Sequence, residues 1–114
     1  MKQEEKQKTS RAVTRDQIAE WVSQFNDEAL LADGMEGAFM GVCDIAGQPT
    51  IAVYDRQKCI EILAQDMEAD EGEDQYSLAV EFFEFNVVGA WAGENTPRFV
   101  TLYSPEEGEG NGKA

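Results

Sequence analysis

Apolar residues in this chain come only in short blocks, and the spacing inside the blocks changes along the sequence. That pattern restricts the fold to a mixture of short helices and strands. The first block is helical. Ile18, Trp21, Val22 and Phe25 fall at i, i+3, i+4 and i+7, a single stripe on one face. Thr14 and Gln17 stand before it in capping-box order, a hydroxyl acceptor followed three residues later by an amide. Asp16 and Glu20 occupy the first turns, where the helix dipole favours negative charge. These signals predict a helix ending near Phe25, with Trp21 as a core anchor and Asp33-Gly34 closing the segment.

The next two blocks, 38–45 and 50–54, flank Ala46-Gly47-Gln48-Pro49, which is turn chemistry, so a β-hairpin is expected. Asp55 is placed to cap a second helix running to about Met67, with Cys59, Ile62, Leu63 and Met67 on one side. Residues 68–74 form an acidic loop. A third helix is predicted from Gln75 to about Asn86, its buried face drawn by Leu78, Phe82 and Phe85, with Ala79, Phe83 and Asn86 beside them. The adjacent Phe82-Phe83 pair breaks strict alternation and argues for helix over strand. Residues 87–91 suit a strand or a tight buried segment, and Arg98 to Tyr103 suit a last strand. The order α-β-β-α-α-β predicts a small α+β domain over 14–103, with a short, mostly antiparallel sheet packed by helices on one face. Residues 1–13 read as a flexible arm and 104–114 as a disordered Glu/Gly tail.

No apolar run approaches the eighteen or so residues of a membrane span, and the polar start does not resemble a secretory signal, so a cytoplasmic protein is expected. Histidine is absent, which removes most zinc sites, every Ser-His or Cys-His nucleophile and the usual neutral-pH base. Cys43 and Cys59 fit no redox or zinc spacing and are expected as small buried core residues. No Gly-rich phosphate loop occurs. Asp33, Glu36, Asp44 and Asp55 invite comparison with a two-carboxylate or Mg²⁺ site, but turn and cap roles account for them. A Ca²⁺ loop starting at Asp66 fails at Glu71, where Gly is required, and at Ser77, where a bidentate Glu belongs. No metal, cofactor or catalytic residue is expected.

The net charge of −14 is unevenly laid out. Residues 1–15 carry five basic and two acidic residues, whereas 16–114 carry 21 acidic and four basic, a balance of −17. No Lys or Arg occurs between Cys59 and Pro97. Such a field repels DNA, RNA and anionic membranes and suits a protein partner with a basic surface.

Asp33-Gly34-Met35-Glu36, Val53-Tyr54-Asp55 leading into Lys58-Cys59-Ile60-Glu61-Ile62-Leu63, and Ala79 to Val87 running on to Gly89-Ala90-Trp91 together resemble a family of short, uncharacterised proteins of bacteriophages and bacterial genomes. The likeness spans about residues 33 to 100 and implies a phage or prophage origin, with no activity to carry over. The chain departs from that family in its more acidic loop.

The leading expectation is a non-catalytic inhibitor or modulator of DNA-mimic type, presenting carboxylates to the nucleic-acid-binding surface of a host enzyme. Its candidate partner-binding residues are Asp66, Glu68, Asp70, Glu71, Glu73, Asp74, Glu81, Glu84 and Trp91. The alternative is an accessory interaction module, homodimeric in one version, held by apolar contacts. A carboxylate or metal enzyme ranks behind both.

Overall fold

The computed structural model describes residues 13–68, 72–90 and 92–105. Residues 1–12 of the expected arm and 106–114 of the expected tail lie outside them, as do Asp70, Glu71 and Trp91. Helix α1 spans Arg15–Ser23, and a 3₁₀ turn at Glu36–Ala38 leads into strand β1, Phe39–Cys43. Strand β2 is Ile51–Asp55, followed by α2, Arg56–Asp66, and α3, Gln75–Phe82. Strand β3, Arg98–Val100, completes a three-stranded sheet of order β1-β2-β3. The α+β class and the order α-β-β-α-α-β match the sequence expectation.

The local signals act as the chemistry predicts. The Thr14 hydroxyl accepts from Gln17 N–H at 3.1 Å, and the Gln17 side chain accepts from Thr14 N–H at 3.0 Å, closing the capping box of α1. The Asp55 carboxylate accepts from Gln57 N–H at 3.0 Å and Lys58 N–H at 3.3 Å, two donors that α2 leaves without intrahelical partners. β1 and β2 pair antiparallel as the hairpin, with a register irregularity between Phe39 and Gly41. Gly41 has φ +148°, a conformation that side-chain-bearing residues rarely adopt, so the bulge needs glycine there. β3 joins β2 in parallel, because α2 and α3 carry the chain back to the starting end before it pairs.

Every residue of β2 is buried, which corrects the expectation of a sheet covered on one face only. Side chains alternate across a strand, so burial of Ile51 and Val53 as well as Ala52 and Tyr54 means that both faces are shielded. Ala52 and Tyr54 pack with Met35, Ala38, Cys59, Ile60, Ala79 and Phe83 in the main core cluster. A run of ring contacts crosses the domain, from Trp21 on Phe39, through Tyr54 and Phe99, to Phe83.

Three further expectations need correction. Trp21 is 42% exposed and Phe25 is 50% exposed, so only Ile18 and Val22 of the α1 stripe reach the core. Their indole and phenyl rings meet edge to face at 4.9 Å, and the half-exposed indole also contacts Phe39 of β1. Cys43 is exposed, because it ends an edge strand, whereas Cys59 on the inner side of α2 is buried. The third helix also turns differently. Ala79 and Phe83 are fully buried, while Phe82 and Phe85 are exposed. Residues 87 and 88 form neither strand nor buried segment. They continue the helix as a π-helical segment, Phe83–Val88, that ends at Gly89. A Cβ at Gly89 would lie 2.9 Å from the Phe85 carbonyl oxygen, so this stop also needs glycine.

Candidate protein-binding face

The end of α2 and the start of α3 are fastened together by side chains that bridge the acidic loop. Gln75 Nε2 donates to the Met67 carbonyl at 2.6 Å and to the Ala64 carbonyl at 3.3 Å, occupying carbonyls at the C-terminus of α2. The Tyr76 hydroxyl donates to Gln57 Oε1 at 3.0 Å, a second tie between the helices. Asp74 caps α3. Its carboxylate accepts from the Ser77 hydroxyl at 2.8 Å and from Ser77 N–H at 3.1 Å. These bonds, the hydroxyl first, hold the Asp74 carboxyl below its usual acidity range and keep it ionised.

The predicted carboxylates fall into distinct settings. Asp66, at the last turn of α2, Glu68 and Glu73 are exposed, and Glu81 is exposed on α3. Asp74 serves a cap. Glu84 belongs to the π-helical segment and pairs with Arg56, so its charge is met from within the domain. That guanidinium also lies 5.3 Å from the centre of the Phe83 ring, a cation–π contact which fixes Arg56 against the core. Asp70, Glu71 and Trp91 lie outside the described residues.

Met67, Leu78, Glu81, Phe82, Phe85 and Asn86 line a shallow groove of about 330 Å³ beside these carboxylates. Phe85 is 80% exposed and Phe82 43% exposed. Sequence reasoning assigned Phe82 and Phe85 to the core and left Met67 and Leu78 off the candidate site. The missed signal is that this one helix carries two apolar stripes. Leu78, Phe82 and Phe85 form one, and Ala79, Phe83 and Val87 form the other. A short helix on a small core buries one stripe, so the second faces outward.

The carboxylates considered for metal chemistry have structural partners. Asp33 pairs with Arg15, Glu36 accepts from Gly34 N–H at 3.1 Å, and Asp44 accepts from the Thr50 hydroxyl at 2.8 Å. Among the described residues no group of three or more His, Cys, Asp or Glu side chains is placed to hold a metal ion. A cavity of about 340 Å³ opens between Leu31, Met35, Val87 and Phe99, and Asp33 is the one carboxylate among the residues lining it. Burial pushes the Cys59 thiol up to about 12, aided by the nearby Asp55 charge, which leaves it without thiolate character at neutral pH. No helix among the described residues is long and apolar enough to cross a membrane.

Comparison with family models, with curated proteins and with solved structures yields no match.

Proposed function

We propose that this chain is a non-catalytic, acidic protein-binding modulator that meets a basic protein surface through the α2–α3 face. One observation carries the proposal. Asp66, Glu68 and Glu81 are exposed within a stretch, Cys59 to Pro97, that holds no Lys or Arg, and the two helices of that stretch are tied together by Gln75 and Tyr76. Carboxylates on or beside tied helices, such as Asp66 and Glu81, lose little entropy on binding, and a field predominantly of one sign steers an oppositely charged partner to fast association. The finer assignment is an inhibitor of DNA-mimic type, encoded by a phage and aimed at a host enzyme that handles nucleic acid. It rests on the family resemblance and on this field. The accessory-module alternative draws on a different observation, the exposure of Phe82 and Phe85 in the groove.

Affinity capture from a bacterial lysate at low and high salt, with mass spectrometry of the bound protein, identifies the partner. Reversal of Asp66, Glu68 and Glu73 to Lys is then expected to slow association with it and flatten the salt dependence. An unchanged on-rate and salt slope in that triple variant would defeat the electrostatic reading.

A further inference from the structure

We infer that the groove on the outer face of α3 is the seat for a cationic amphipathic helix of the partner. The inference rests on the acidic-face reading and adds the contacting element and its chemistry. Leu78 and Phe82 stand one turn apart on α3, Phe85 follows in the π-helical segment, and all three line the groove, with Met67 from the end of α2 closing its side. The core does not need Phe82 or Phe85, since Ala79 and Phe83 already fill the inner side of α3 with no exposure at all. Scattered apolar residues on a surface are ordinary, but two exposed phenylalanines, one of them 80% exposed, converging with half-buried Leu78 and Met67 on one groove mark a surface suited to another molecule. A groove bordered by one helix and the end of another is the shape that receives a helix through i, i+3/i+4 and i+7 anchors.

Charge complementarity decides which helix. Glu81 lines the groove itself, Asp66 and Glu68 flank Met67 in the chain, and the whole segment between Cys59 and Pro97 is free of Lys and Arg. A helix with an apolar stripe and Lys or Arg on its flanks would satisfy both the exposed rings and the carboxylates beside them. A second copy of this chain would bring the same carboxylates face to face and add its own charge of −14, which opposes self-association through this groove. Nucleic acid is opposed by the same field.

The test uses the full chain and three synthetic peptides: a Leu/Lys peptide with leucines at helical period, its scramble of identical composition, and a version with Glu in place of Lys. Binding is read by calorimetry and by amide chemical shifts at about 0.15 M salt. The patterned Leu/Lys peptide is expected to bind and to move the amides of Leu78, Glu81, Phe82 and Phe85. Phe85→Ser should weaken it by roughly tenfold or more, as for an interface anchor, with an unchanged circular dichroism spectrum. Equal binding of the scramble, or indifference to Phe85→Ser while the Asp66/Glu68/Glu73 reversal abolishes binding, overturns the groove and leaves the acidic face standing. Failure of every peptide to bind overturns the groove, and the acidic face falls with it only if charge reversal also leaves the captured partner's association unchanged. A concentration-dependent dimer that Phe85→Ser dissolves would assign the groove to a second copy and overturn the proposal.

Discussion

Replacing Phe83 with Ala should come close to unfolding this domain, while the same change at Phe85, two residues away, should hardly register. Phe83 has no exposed surface, meets the Phe99 ring edge to face at 5.1 Å and lies under the Arg56 guanidinium. Deleting such a ring removes its transfer free energy and leaves a cavity, about 3–5 kcal/mol together. The lost edge-to-face contact with Phe99 places the cost toward the upper end of that range. A domain of this size has a total stability of about 5–15 kcal/mol, so the loss is a large share of the whole. Phe85 hides only a fifth of its surface. Its truncation forfeits about a fifth of a full burial value near 3 kcal/mol, or about 0.6 kcal/mol. Alanine's better helix propensity recovers up to about 0.7 kcal/mol, so the net change lies near zero. Phe82, 43% exposed, should fall between the two. Urea unfolding followed by far-ultraviolet circular dichroism measures all three, with a shifted midpoint and a constant slope. If Phe85→Ala costs as much as Phe83→Ala, the assignment of the two stripes is wrong, and the proposed groove is part of the core.

Asp55→Ala should destabilise by about 1–2 kcal/mol, because two N–H groups at the start of α2 lose their acceptor at a buried site, and thermal unfolding against Asp55→Asn and Asp55→Ser, which can still cap, separates the cap from mere truncation. A thiol-titrating reagent should count only Cys43 in the native protein and both cysteines in denaturant; native reactivity at Cys59 would contradict its burial. The stability that burial of the neutral Cys59 thiol contributes should be full below pH 9 and be lost as pH rises toward 12, since the unfolded thiol ionises near its usual 9.0 while the folded one is held up to about 12. Burial raises the Tyr54 hydroxyl in the same direction from its usual 10.0, so Cys59→Ala should remove the fall between pH 9 and 10 and leave the later one. The protein should not retard duplex DNA at about 0.15 M salt, and a shift that persists after removal of residues 1–13 would overturn the electrostatic argument.

The elements were legible wherever one short stretch contains both the signal and its target. Thr14 with Gln17 and Asp55 with the two N–H groups beyond it act over three residues, and the turn between the hairpin strands needs no distant partner, so the α-β-β-α-α-β order follows from sequence alone. The charge layout is likewise a property of the sequence, independent of the fold. Tertiary packing decided the remainder. Leu78-Phe82-Phe85 and Ala79-Phe83-Val87 are both acceptable helix stripes, and hydrophobicity favours the first, with two phenylalanines against one. The second went inward. Ala79 lacks a side chain that would hold α3 off its neighbours, and a single phenylalanine, Phe83, fits the space beside Phe99. Cys43 and Cys59 have equally apolar neighbours in the chain, yet one ends an edge strand and the other faces the core from α2. Period tells which residues share a face. Which face is covered depends on the size and position of elements distant in sequence, and that settled whether Phe85 became core or surface.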